Sequence, residues 1–215
     1  MKNLLMCWLL VCAISQGFAS EDQSVDENGY RTVPGIASHE DRPEFPAAGW
    51  GELQFEAPEP GTYQLPPTRE AADGNVLTAD GEKKRLSDFY GDKLVILSFI
   101  YTHCSDLNGC PLVTAVFYKL KQTLKDQPEV ANQLRLISLS FDPVRDTPEV
   151  MKFYGIGAED MGGPEWDFLT TESRKQLDPI LEGFGQSIVN EYNDSGEETG
   201  SYAHILRVFL IDKEG

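Results

Sequence analysis

The chain is poor in cysteine, histidine and positive charge. It has 4 cysteines, 3 histidines, and 18 Lys or Arg against 35 Asp or Glu, for a formal charge of −17. With so few basic residues there is no patch to neutralise phosphates, which excludes nucleic acid as a partner. The cysteines are too few for a disulfide scaffold, so stability must come from a packed core and any thiols are free for chemistry. The apolar run Leu4 to Ile14 is too short to span a bilayer. No internal repeat is present, and no glycine-rich phosphate loop follows the first strong strand.

The N-terminal end accounts for half of the cysteines. Lys2, the apolar run and the small residues around Gly17-Phe18-Ala19 read as a signal peptide over residues 1–19, with which Cys7 and Cys12 would leave. This predicts a periplasmic or otherwise extracytoplasmic protein, either free or membrane-tethered. A lipid anchor on Cys12 is the alternative, but bulky Val11 stands where a small residue is wanted. About 196 residues remain, enough for one domain with a full-sized core and an extended segment before it. Residues 20–61 read as an acidic Pro/Gly-rich leader, in which Trp50 and Phe55 are expected to pin the chain to the domain. His39 lies in this leader and is read as incidental. The acidic surface suits a basic protein partner or plain solubility.

From residue 62 to 215 the pattern changes. Leu94 to Tyr101 is almost wholly apolar, as in a strand covered on both faces. Pro111 suits a first helical turn, and Leu112, Val116, Leu120 and Leu124 then form a stripe with Val113 and Phe117 beside it. Leu134 to Phe141 reads as a second long strand, and Thr147 as the cap of a helix opening at Pro148. Val76 to Thr78 and Trp166 to Leu169 are shorter strand candidates. Leu177, Ile180, Leu181 and Phe184 line another helix, and Ile205 to Ile211 reads as a closing strand. Strands alternating with helices predict an α/β fold with a central sheet. The final strand runs into a tight turn, so a pairing strand or helix is expected beyond it, and the domain reads as incomplete at its C-terminus.

The other two cysteines sit together in Tyr101-Thr102-His103-Cys104-Ser105-Asp106-Leu107-Asn108-Gly109-Cys110-Pro111, between a strand and a helix. On a helix this spacing would point the side chains apart, so a turn at Asn108-Gly109 must bring them together. Cys110 stands at the coming helix's N-terminus, where the dipole favours thiolate. Two such thiols are a redox pair or a soft-metal site, against the blander readings of a static disulfide or unrelated thiols. His204 precedes the expected last strand, where a loop can approach the cysteine loop. Two thiolates and an imidazole suit Cu(I), and with an added oxygen ligand Cu(II). His103, beside Cys104 in an extended segment, points the other way and is read as tuning or packing against the pair.

These residues resemble the SCO/SenC family of copper-binding, thioredoxin-like proteins that assist assembly of the copper centre of respiratory oxidases. The resemblance is carried by Leu94 to Pro111, Leu86-Ser87-Asp88-Phe89 with Gly91, the segment Ser140-Phe141-Asp142-Pro143-Val144-Arg145-Asp146-Thr147-Pro148-Glu149, and Ala203-His204 with Phe209-Leu210-Ile211-Asp212. It implies a thioredoxin-like sheet flanked by helices, with Cys104, Cys110 and His204 as metal ligands. It also suggests an acidic role near the site for Asp142, read as a supporting or turn residue rather than a ligand. The family usually leaves three residues between its cysteines. This chain has five, which either fold into the Asn108-Gly109 turn with the site intact or alter its ligand angles, redox potential or client. The family also continues past this point with a further strand and a C-terminal helix.

The expected function is that of an extracytoplasmic copper protein delivering Cu(I) or Cu(II) to a client such as a cytochrome oxidase subunit or another secreted copper enzyme, or keeping the client's cysteines reduced. The competing expectation is a thioredoxin-type thiol–disulfide oxidoreductase, in which Cys104 attacks and Cys110 resolves, with no demand on His204. A peroxide-reducing variant lacks an evident substrate-activating environment. An inert tethered module is the remaining reading.

Overall fold

The apolar run from Leu94 becomes the second-innermost element of a six-stranded mixed sheet. The structure is a computed structural model and describes residues 66–107 and 109–215, together with 56, 58, 59 and 61–64. The expected signal peptide, most of the leader (His39, Trp50 and Phe55 included) and Asn108 lie outside the described residues.

The strands are β1 (Asn75–Thr78), β2 (Lys83–Arg85), β3 (Leu94–Ile100), β4 (Leu134–Ser140), β5 (Glu165–Thr170), β6 (Ile188–Tyr192), β7 (Glu198–His204) and β8 (Val208–Ile211). The helices are α1 (Cys110–Leu124), α2 (Pro128–Ala131), α3 (Pro148–Tyr154) and α4 (Arg174–Phe184). The main sheet runs β2-β1-β5-β4-β3-β8. β3, β4 and β5 are parallel, while β1 and β8 flank them antiparallel. β6 and β7 pair only with each other, as a separate two-stranded ribbon. No helix among the described residues is long and apolar enough to cross a membrane.

The register shows why β3 and β4 are continuous apolar runs rather than alternating ones. Ile96, Leu136 and Trp166 share one face, and Phe117 of α1 meets Trp166 there edge-on at 5.5 Å. Phe99, Leu139 and Leu169 share the other, where Phe184 of α4 meets Phe99 at 5.6 Å. Both faces are therefore covered, as the composition of these strands requires. The buried strand serines are satisfied: Ser138 accepts from the Trp166 indole at 3.1 Å, and Ser98 donates to the Arg207 carbonyl at 3.0 Å. This is a thioredoxin-like α/β arrangement.

Three expectations need correction. The closing strand does not run from Ile205: β7 ends at His204, and a break over 205–207 precedes β8. The ribbon and β2 were not foreseen. On α1 the buried face is centred on Val113, Phe117 and Leu124, with Leu112, Val116 and Leu120 at its margin. Lys121 is buried on that same face, because its ammonium reaches the Pro164 carbonyl at 2.5 Å and so keeps a polar partner. The expected cap at Thr147 forms, its hydroxyl accepting from the Val150 N–H at 3.4 Å. At the far edge of the sheet β8 exposes Val208 and Leu210, and Asp212 then accepts from the Glu214 and Gly215 N–H groups in a tight turn.

Candidate metal centre

β3 delivers the chain to the top of the sheet, where the Ile100 carbonyl still accepts from the Phe141 N–H. Two local hydrogen bonds then fold the segment back. The Cys104 N–H donates to the Tyr101 carbonyl at 3.3 Å and the Gly109 N–H to the Asp106 carbonyl at 2.9 Å. Gly109 caps α1, its carbonyl accepting from Leu112 and Val113. Glycine suits this close approach, since a Cβ would lie 3.0 Å from the Cys104 sulfur and push it aside. Ser105, Asp106 and Leu107 are exposed while the ligand atoms of the two cysteines come within 4.8 Å of each other at the strand–helix junction.

Cys110 is the first residue of α1 and is buried, its sulfur accepting from the Tyr101 N–H at 3.4 Å. Cys104 is half-buried, and neither cysteine is in a disulfide. His204, the last residue of β7, sets its ring edge-on to Phe141 at 4.9 Å and Tyr101 at 6.1 Å. Its Nε2 stands 3.8 Å from the Cys110 sulfur, and the ligand atoms of Cys104, Cys110 and His204 all lie within 4.8 Å of one another. Bonds of about 2.0–2.3 Å place the donors of a three-coordinate site about 3.5–4 Å apart. The His204–Cys110 separation falls in that range, and no pair among the two soft sulfurs and the imidazole exceeds 4.8 Å, so the three gather about one point as a soft-ion site requires.

The protonation states differ from one expectation. At Cys110 the backbone N–H groups of the helix N-terminus favour the thiolate but are outweighed by burial. Burial pushes its thiol well above the ordinary cysteine value, the Cys104 sulfur adds to this, and the Tyr101 N–H only partly opposes it. Burial holds the His204 imidazole below the ordinary histidine value, outweighing the Ile205 backbone and the Asp106 charge. The ring is thus kept in the neutral form that ligates metal. Burial, with the Cys104 sulfur alongside, pushes the Tyr101 phenol up to about 12.

A cavity of about 350 Å³ opens on the α1 side of the pair, and both sulfurs line it together with Tyr101, Thr114, Tyr118 and Tyr154. The Thr114 and Tyr154 hydroxyls are hydrogen-bonded at 2.7 Å. His204 is not among the residues lining this cavity.

Asp142 and His103 lie outside the three-donor cluster. Asp142 is buried at the end of β4, and its carboxylate accepts from the Arg145 Nε. His103 is exposed, its Nδ1 3.1 Å from the Thr102 hydroxyl and 3.9 Å from the Asp146 carboxylate. Sequence reasoning assigned nothing to Asp146, Arg145 or Tyr101. Asp146 is fully buried and Arg145 reaches the Gly200 carbonyl on β7.

A family model described as SCO1/SenC matches residues 66–215. Among solved structures, the chain is 28% identical to apo Sco1 from Thermus thermophilus, over 71% of this chain and 81% of that one, with a TM-score of 0.53. Bradyrhizobium japonicum ScoI, determined with copper bound, is 21% identical over 68% of this chain and 85% of that one, with a TM-score of 0.53. Yeast Sco1 with copper bound is 20% identical over 68% of this chain and 75% of that one, with a TM-score of 0.54. No curated protein sequence matches the chain.

Proposed function

Because the chain belongs to the SCO1/SenC family of copper-binding, thioredoxin-like proteins, we propose that it is an extracytoplasmic copper carrier that loads a copper-requiring respiratory or other secreted enzyme. The observation that supports this most is the approach of His204 to the two cysteines, which a purely dithiol protein has no need of. Cys104 and Cys110 would hold the copper cargo as thiolates, and His204 through its neutral Nε2. Copper presented this way favours Cu(I), and a further oxygen ligand would accommodate Cu(II).

The chain's own residues perform three tasks in this reading. Tyr101, Phe141 and Tyr202 form an aromatic cluster against which the His204 ring packs, holding its orientation. The Tyr101 N–H stabilises negative charge on the Cys110 sulfur as its proton leaves. The half-exposed Cys104 and the cavity beside it give a client's thiol or imidazole room to take over the cargo by ligand exchange.

The decisive experiment is copper titration of the reduced protein and of His204→Ala. One equivalent is expected to bind, with intense sulfur-to-copper charge-transfer absorption after Cu(II) loading. The variant is expected to lose at least the roughly 10–100-fold in affinity that even a supporting partner commands. Unchanged affinity in the variant would remove the three-donor reading.

One observation favours a second reading. The pair is asymmetric, with Cys104 half-exposed and Cys110 buried and strongly protonated. In a thiol–disulfide exchange the Cys104 thiolate would attack a partner disulfide and expel one partner thiolate. Cys110, losing its proton, would then attack the Cys104 sulfur and release the second. The partner gains two electrons and the Cys104–Cys110 pair becomes a disulfide. Rapid reduction of a protein disulfide, indifferent to His204→Ala and to copper, would favour this role.

A further inference from the structure

The turn between β4 and α3 contributes none of the three clustered donors, yet it is hydrogen-bonded to both segments that carry them, at Thr102 and at Gly200. Asp146 has no exposed surface. Its Oδ2 accepts from the Thr102 N–H at 3.1 Å and the Ser140 hydroxyl at 2.5 Å, and its Oδ1 accepts from the Thr102 hydroxyl at 2.5 Å. Thr102 lies two residues before Cys104. A buried carboxylate is costly unless its oxygens are satisfied, and here the donors come from the cysteine segment and the end of β4.

The neighbouring residue reaches the other way. The Arg145 guanidinium donates from Nε to Asp142 and from Nη2 to the Gly200 carbonyl on β7, and lies 5.5 Å from the centre of the Tyr202 ring. Tyr202 is two residues before His204. A Cβ at Gly200 would lie 3.0 Å from the Arg145 Nη1, so the guanidinium rests directly on the ribbon backbone. Because the ribbon has no strand pairing with the main sheet, side-chain contacts of this kind must seat it.

We propose that Arg145 and Asp146 are a pair of positioning residues that set the distance between the cysteine arm and the histidine arm. Asp146 fixes the segment bearing Cys104, and Arg145, braced by Asp142, fixes the ribbon bearing His204. The inference rests on the reading that Cys104, Cys110 and His204 share one ion. The planar fork of arginine is what allows one cation to hold Asp142 and the Gly200 carbonyl at once, and lysine cannot reproduce it.

The test uses the reduced full chain with Arg145→Lys and Asp146→Asn. In the metal-free protein, hydrogen exchange is expected to rise about tenfold or more over 198–204 in R145K with 101–107 unchanged, and in the opposite pattern in D146N. With copper, each variant is expected to lose about 10–100-fold in affinity and to shift the Cu(II) charge-transfer band, which a loss of global stability alone would not move. Equal loosening of both segments in both variants, or wild-type exchange in both, overturns the proposal. So does a copper band and affinity identical to wild type. Should D146N fail to fold, Ser140→Ala removes one donor to the same carboxylate and is expected to give a smaller change over 101–107; no change there also counts against it. A wild-type protein that binds no copper, with the two arms still loosening separately, would sink the carrier reading while leaving the tether standing.

Discussion

The imidazole of His204 and the thiol of Cys110 meet at 3.8 Å, although 94 positions separate them in the chain. Both are buried enough to be held in their uncharged forms, with opposite consequences. The neutral imidazole is ready to ligate at neutral pH, whereas the neutral thiol must first lose a proton.

Copper binding should therefore release the Cys110 proton. Its thiol is raised above the ordinary value of 9.0 by burial, so it is protonated in the metal-free protein throughout the neutral range. Apparent affinity for Cu(I) is expected to rise with pH, by about tenfold per pH unit for each proton released. Competition titrations between pH 6 and 8, corrected for the competing chelator, measure the slope. A flat profile would mean that Cys110 is not a ligand.

Metal-free stability should carry the signature of His204. Its folded value lies below the ordinary 6.5, so in the window between the two the unfolded state binds more protons. The contribution is fully present above the ordinary value, is lost as pH falls through that window, and changes no further below the folded value. The wild type is expected to take up as much as about one more proton on unfolding near pH 6 than His204→Gln. Denaturant midpoints from pH 7.5 to 5 provide the comparison, and parallel curves for the two proteins would contradict it.

Gly109→Ala should disturb the site more than the fold. The new Cβ meets the Cys104 sulfur at 3.0 Å and the Asp106 carbonyl at 3.2 Å, so the sulfur must shift. Copper affinity is expected to fall about tenfold with an altered Cu(II) spectrum. Stability should drop by only about 1 kcal/mol, the usual cost of alanine at a helix cap. A spectrum identical to wild type would show that the loop adjusts elsewhere.

The central strands, the three residues that cluster at the site and the family resemblance were legible because they rest on long apolar runs and rare residue types. Leu94 to Ile100 and Leu134 to Ser140 are long apolar runs, and Cys104, Cys110 and His204 belong to rare residue types. The ribbon was harder to see. Its strands Ile188–Tyr192 and Glu198–His204 are polar on most positions, so hydrophobic patterning says little, and only the Asn193-to-Gly196 turn marks it. The protonation of Cys110 was misjudged because the helix terminus is visible in sequence but the depth of burial is not. Lys121 was unreadable for the same reason, since a lysine on an apolar stripe reveals its carbonyl partner only in three dimensions. Asp146 and Arg145 were quoted as part of a motif without roles, because their partners, Thr102 and Gly200, lie 44 and 55 positions away.

The ribbon that presents His204 shares no backbone ladder with the six-stranded platform that carries the sulfurs. The nitrogen donor is thereby modular. Substitutions at its exposed positions, Val189 and residues 191–199, can retune how fast the pocket surrenders its load, whereas Ile188 and Tyr202 pack on the hydrophobic interior. Variation among related chains should then concentrate at these exposed ribbon positions while Gly200, Tyr202 and the sulfur-bearing platform stay fixed.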